Sequence, residues 1–146
     1  MFRRICHRFL CGSSIYYNTP DSLGYTKLHR AASNGQYKEV RRLVERGADV
    51  NIKTKNYGVT AVMEAAMREH GDIVQYLHQA GTNINISDKY RWTAVMLAAY
   101  KGHGDIVKFL QEAGADINIR DQCGVTAVML AAVMGHEDIH CKFDQI

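Results

Sequence analysis

Two short stretches of the 146-residue chain hold side chains that can do chemistry. His136-Glu-Asp-Ile-His140 spells H-E-x-x-H. On a helix, that spacing puts two zinc-binding histidines one turn apart, with the glutamate placed to activate a water. A zinc of that kind needs a third ligand, and only Cys141 and Asp144 follow in the chain. Cys6, His7 and Cys11 offer three ligands and no evident fourth. The four cysteines, Cys6, Cys11, Cys123 and Cys141, contain no C-x-x-C pair. They read as free thiols in a reducing compartment. Asn85-Ile-Ser87 is a glycosylation sequon, usable only on the secretory route. Neither a phosphate-cradling G-x-x-x-x-G-K nor a G-x-S-x-G elbow occurs. The sequence therefore predicts no catalytic residue, no metal and no cofactor.

The elements around these residues explain them better than metal chemistry does. Thr26, Thr60, Thr93 and Thr126 are spaced by 34, 33 and 33 residues. The last three open Thr-Ala-Val-Met-(Glu/Leu)-Ala-Ala, and the first opens Thr-Lys-Leu-His-Arg-Ala-Ala. Gly47, Gly81 and Gly114 keep the same phase, each followed by a variant of Ala-Asp-Val-Asn. Each threonine is a candidate helix N-cap. Each alanine pair lets a neighbouring helix approach closely. A second helix opens on Asp72, Asp105 or Asp138, where a negative charge suits the helix dipole. Ile73, Val74 and Leu77, then Ile106, Val107 and Leu110, fall at helical spacing, and the phased glycines end these helices in a left-handed turn. One such unit cannot bury its own apolar face, so the units must stack. In this frame His136 matches His70 and His103 and precedes a helix rather than lying inside one. Met63, Met96 and Met129 share one phase and read as core.

With these residues the chain resembles the ankyrin repeat family. Asp21-Ser-Leu-Gly24-Tyr-Thr26, Asp121-Gln-Cys-Gly124-Val-Thr126, Gly102-His-Gly-Asp-Ile-Val107 and Gly114-Ala-Asp-Ile-Asn118 match its loop and second-helix motifs. The resemblance covers residues 21–146. It implies an all-α solenoid of helix-turn-helix units joined by β-hairpin-like loops, with units at about 21–54, 55–87, 88–120 and 121–146, the last cut short. The family's histidine after the cap survives only as His29, with methionine in the other units. Arg91 stands where a loop glycine is expected, Glu69 replaces an inter-helix glycine, and one extra residue lies between Gly47 and Thr60. A leucine eight residues before Asn51, Asn85 and Asn118 is similar to the pattern of asparagine-hydroxylase substrates; a structural role for both residues is the preferred reading.

The ends depart from the repeat. The next loop glycine would fall at position 147, and His140 takes the slot of Val74 and Val107. The sequence predicts either a truncated array or a makeshift cap of Ile139, Phe143 and Ile146, with truncation preferred. Residues 1–20 are read as an extension that packs loosely or is disordered. They contain Arg3, Arg4 and Arg8 and no acid, and Phe2, Ile5 and Phe9 share a helical face. Their arginines and histidine interrupt any secretory h-region, whereas a mitochondrial presequence or palmitoylation of Cys6 or Cys11 fits the composition.

Residues 21–146 carry 15 basic and 15 acidic side chains, which argues against a nucleic-acid binder. No run of apolar residues is long enough to span a membrane. The resemblance implies a non-catalytic module, an adaptor or an inhibitor, that binds a protein on its concave side. By phase, that side presents Tyr57, Tyr90, Arg91 and Trp92 from the loops, and Met67, Arg68, Tyr100, Lys101 and Met134 from the first helices. Such residue types are enriched at interfaces, and the cations favour an acidic partner surface. A monomer in the cytoplasm or nucleus is expected, with an address carried by residues 1–20 as the alternative.

Overall fold

The computed structural model describes residues 14–144. Its helices are α1 (Ser14–Asn18), α2 (Lys27–Ser33), α3 (Tyr37–Glu45), α4 (Ala61–Met67), α5 (Gly71–Gln79), α6 (Ala94–Lys101), α7 (Gly104–Glu112), α8 (Ala127–Val133) and α9 (Glu137–Phe143). Helices α2 and α3, and each later pair, form one unit. The first helices stack in one layer (α2 on α4, α4 on α6, α6 on α8), and the second helices stack in another. This is an all-helical solenoid.

The alanine pairs set the spacing of the first layer. Ala31 and Ala32, Ala65 and Ala66, and Ala98 and Ala99 are all buried, so neighbouring backbones approach with nothing larger than a methyl group between them. The second layer contributes the bulk of the core through Val40 and Leu43, Ile73, Val74 and Leu77, and Ile106, Val107 and Leu110. The four threonines sit at N-cap positions in extended conformation. Thr26 and Thr126 accept from backbone amides, whereas the hydroxyl of Thr93 makes no capping bond, a departure from the sequence expectation. Gly47, Gly81 and Gly114 turn left-handed at φ 91°, 91° and 92°, as the helix stops require.

The connecting loops contain no strand among the described residues. They are hairpin-like in a limited sense, each closed by a backbone bond (Asp21 N to Tyr25 O, Thr54 N to Val59 O, Asp88 N to Trp92 O and Asp121 N to Val125 O) around a tighter turn bond (Gly24 N to Asp21 O, Gly58 N to Thr54 O, Arg91 N to Asp88 O and Gly124 N to Asp121 O). In three loops the aspartate Oδ1 also accepts two amides from the turn it encloses. The extra residue lies in the second loop, where Thr54 takes the aspartate's place and its hydroxyl accepts from Val59 N. Arg91 adopts φ 67° and keeps the shape a glycine would give; Glu69 does the same between α4 and α5.

The ends pack as follows. Tyr17, in the segment read as an extension, is buried against the first unit. Asn18 accepts from Asp49 N and is in phase with Asn51 and Asn85. Ile139 and Phe143 are buried, while Ile146 lies outside the described residues. His140 is half-exposed beside Asp144 at 3.6 Å, because the slot that faces a neighbour in the other units faces outward here. Met129 corrects the core assignment of its phase: Met63 and Met96 are 1% exposed, Met129 45%, because no described helix covers α8 as α6 covers α4.

Candidate protein-binding surface

Two ladders of polar side chains hold the loops in register. Asn51 Oδ1 accepts from Asn83 N at 2.9 Å, and Asn85 Oδ1 from Asp116 N at 2.8 Å. Each asparagine thus ties its loop to the next unit, and this employs the Asn85 oxygen structurally. The second ladder runs through His70, His103 and His136, whose Nε2 atoms lie 3.2, 3.1 and 3.1 Å from the carbonyls of Ser33, Met67 and Tyr100. A protein carbonyl only accepts, so each Nε2 carries a proton. His136 is the third rung of this ladder and the N-cap of α9. The H-E-x-x-H spelling thereby splits between a staple to the preceding unit and the half-exposed His140. Among the described residues no group of three or more histidine, cysteine or acidic side chains could hold a metal ion. Cys6, His7 and Cys11 lie outside the described residues.

Neighbouring loop tips also bond directly, Lys89 N to Tyr57 O at 2.9 Å and Gln122 N to Tyr90 O at 3.2 Å. This edge-to-edge order aligns one side chain from each tip. Tyr57 and Tyr90 are 48% and 47% exposed, and Leu23 and Cys123, at the same phase, are exposed too. Lys89 lies between the two rings, with Nζ 4.4 Å from the Tyr57 centroid and 5.0 Å from that of Tyr90. The cation is therefore attracted by two π faces while it remains at the surface. Sequence reasoning missed Leu23 and Lys89. Leu23 sits 34 residues before Tyr57, and Lys89 is next to Tyr90, so phase alone was the available signal.

The other predicted residues divide by depth. Arg91, Arg68 and Lys101 are exposed. Arg68 lies 3.6 Å from the carboxylate of the buried Glu64. Lys101 Nζ is 5.8 Å from the Tyr100 ring. Trp92 and Tyr100 are half-buried and meet edge to face at 5.4 Å. The indole of Trp92 also donates to Asp121 Oδ2 at 3.1 Å. Met67 is half-buried, and its carbonyl is occupied by His103. Met134 is exposed at the C-cap of α8, at the end of the array and away from the tyrosine tips.

The loop aspartates on this side are engaged within their own turns. Asp21 is held below its ordinary carboxylate value by amide bonds from the turn and by Arg30, which lies 2.6 Å away. Burial, followed by the nearby Glu64 carboxylate, pushes the phenol of Tyr25 up. Asp88 and Asp121 spend their Oδ1 atoms on their own turns. The cations Lys89, Arg91, Arg68 and Lys101 and the rings of Tyr57 and Tyr90 are exposed on this side.

Known proteins are similar to this chain in sequence. The family model described as ankyrin repeats (3 copies) matches residues 2–88, 28–121 and 62–143. Ankyrin repeat domain-containing protein 40 of Mus musculus is 42% identical over 60 residues, which is 41% of this chain and 16% of that protein. Alpha-latrotoxin-Lh1a of Latrodectus hasselti is 40% identical over 73 residues, 49% of this chain and 5% of the toxin. The mitochondrial disaggregase of Homo sapiens is 37% identical over 75 residues, 51% of this chain and 10% of that protein. In each case the likeness spans a small part of the relative's length. The family model's overlapping matches extend over nearly all of the repeat register built by the threonines, glycines and asparagines, and the chain belongs to the ankyrin repeat family.

Proposed function

We propose that the chain is a non-catalytic adaptor or inhibitor that binds a protein through its loop tips and the adjoining ends of α4 and α6. Ankyrin repeats are in general protein–protein interaction modules. The observation that carries the reading is the exposed Tyr57–Lys89–Tyr90 cluster, held in place by backbone bonds between tips. A tyrosine fixed in this way buries a large area on binding and loses little rotamer entropy. The cations Lys89, Arg91, Arg68 and Lys101 are exposed on this side, which favours a partner surface that carries carboxylates. Trp92 and Tyr100 contribute mainly by holding the tips, because both are half-buried and Trp92 is bonded to the next loop.

The test is capture from cell lysate by the wild-type chain beside Tyr57→Ala/Tyr90→Ala and Lys89→Glu variants, followed by affinity measurement on the captured protein. A partner that is lost by both variants, at unchanged melting temperature, supports the reading. A partner that binds all three chains equally refutes this surface.

A second reading adds an address to the module. Residues 1–20 hold three arginines and no acid. A reporter fused to residues 1–20 that stays diffuse in the cytoplasm and nucleus would exclude a mitochondrial address.

A further inference from the structure

We infer that the row of loop tips binds an extended acidic segment of its partner, with a carboxylate at every third residue; the inference rests on the protein-binding reading of this surface. The charge of the inner two units divides between their layers. Residues 52–69 and 86–102, which hold the second and third loops with α4 and α6, contain Lys53, Lys55, Arg68, Lys89, Arg91 and Lys101, all exposed. Of the three acids in these stretches, Glu64 is buried beside Arg68 and Asp88 Oδ1 accepts from its own turn, which leaves Glu69 as the exposed one. Residues 70–85 and 103–118, which hold α5 and α7, carry Asp72, Asp105, Glu112 and Asp116 against the single lysine Lys108. Residues 21–146 sum to no net charge, yet the loop side carries a cationic edge, and a partner that bears carboxylates is steered to it.

The shape of the edge follows from its hydrogen bonds. Asn56 Nδ2 donates to Leu23 O at 3.2 Å, and the bonds from Lys89 N and Gln122 N carry the line on through Tyr57 and Tyr90. Gln122 Nε2 adds a bond to Lys89 O at 2.7 Å. The carbonyls at the tips are thereby employed within the array, so a ligand is read by side chains rather than by strand addition. Stacked helices lie about 8–10 Å apart, which sets the repeat of the tips. An extended chain advances about 3.1–3.4 Å per residue, so every third residue comes level with a tip. In polyproline II form those residues also share one face, because that helix has about three residues per turn. The second, third and fourth loops each offer an exposed cation to such a period: Lys55, then Lys89 with Arg91, then Arg120. The residues between the carboxylates lie against the exposed rings of Tyr57 and Tyr90. Lys89 Nζ sits over both rings, at 4.4 and 5.0 Å, so the ring faces on that side are closed to a stacking base. This favours an acidic polypeptide over single-stranded nucleic acid, which binds by stacking on open aromatic faces.

Fluorescence anisotropy of a labelled peptide of four Glu-Pro-Pro repeats, titrated with the 146-residue chain at low salt, tests this. The peptide is expected to bind, and to bind less tightly as salt rises. Lys89→Glu is expected to weaken binding by about tenfold or more. Lys108→Glu, the same change of charge on the exposed side of the other layer, is expected to leave it unchanged. Tyr57→Ala/Tyr90→Ala is expected to weaken binding with no change of charge, and circular dichroism checks that each variant is folded. A peptide of the same composition with its glutamates in one block is expected to bind more weakly than the periodic one. The inference is overturned by absence of binding, by equal binding of the two peptides, by equal losses in Lys89→Glu and Lys108→Glu, or by tighter binding of an oligouridylate of the same length. Should the peptide fail to bind while a protein captured from lysate is still lost by Tyr57→Ala/Tyr90→Ala, the protein-binding surface stands and the extended acidic ligand falls.

Discussion

The indole Nε1 of Trp92 donates to Asp121 Oδ2 across 3.1 Å and joins the loop of the third unit to the loop of the fourth. Asp121 is buried, and its other oxygen organises its own turn through Cys123 N and Val125 N. Trp92→Phe keeps an aromatic ring and removes the donor, at an expected cost of about 1 kcal/mol. Asp121→Ala strips both functions and is expected to cost more. Urea denaturation followed by circular dichroism checks the order, since Trp92→Phe removes the chain's one tryptophan fluorophore. Equal stability of all three chains would mean that the contact contributes nothing.

The same substitution at two equivalent slots should give unequal results. Ala99 is fully buried between α6 and α8, while Ala132, one unit later, is exposed. Ala99→Asp buries an unpaired charge and is expected to cost more than about 3 kcal/mol. Ala132→Asp is expected to shift stability by no more than about 0.5 kcal/mol, as surface changes do. Thermal melts compare them. Similar losses at the two sites would contradict an uncovered α8.

Glu69 and Arg91 hold left-handed conformations, each at φ 67°, where a side chain costs about 1–2 kcal/mol. At Gly35 and Gly102, the counterparts of Glu69, a Cβ would come within 2.6 and 2.7 Å of the staple histidine of the next unit. Glu69→Gly and Arg91→Gly are each expected to stabilise the chain, by less than the full strain, because glycine also gains entropy in the unfolded state. Denaturant midpoints that fall in either variant would show that its side chain is worth more than its strain. Glu69 gives up only an exposed contact with His103 at 3.8 Å.

Much of this was legible in the residue pattern, for a physical reason. Stacked units need the same small residue, cap and helix stop at the same height, so Ala65-Ala66, Thr60 and Gly81 recur and betray the period. Side chains that act between units are harder to read. The link of Trp92 to Asp121 joins different positions of two repeats, and a phase comparison sees only like positions. The capture of Lys89 by two tyrosines depends on the tip-to-tip backbone bonds, which leave no residue signature. The exposure of Met129 escaped for the opposite reason. Its phase says core, and only the uncovered side of α8 reverses that.

His29 gives the first unit a pH dependence. Its Nε2 faces the carbonyls of Ile52 and Val59, each at 3.0 Å, so Nε2 bears the proton. Nδ1 is then left to accept from the Thr26 hydroxyl at 2.8 Å and from Thr26 N at 3.2 Å. This neutral ring is fully used, and protonation of Nδ1 would lose the bond from Thr26 N, leaving only the hydroxyl able to reverse and accept. Burial holds its pKa below the ordinary value of 6.5, against the opposing pull of the Val59 and Ile52 carbonyls and the Glu64 and Asp21 carboxylates. The unfolded chain therefore binds the extra proton first, and stability rises with pH across the window. Its contribution is complete above about 6.5 and is lost as the pH falls from there towards the folded-state pKa. Asp21 and Glu39 are also held below their ordinary values of 3.8 and 4.5, so their losses begin at more acid pH. His29→Met copies the solution of the second unit, where Met63 is buried at the same slot. The difference in unfolding free energy between wild type and His29→Met is expected to be constant above neutrality and to shrink as the pH falls below about 6.5. A difference that stays constant down to about pH 4.5 would mean that the proton on this ring is not linked to folding.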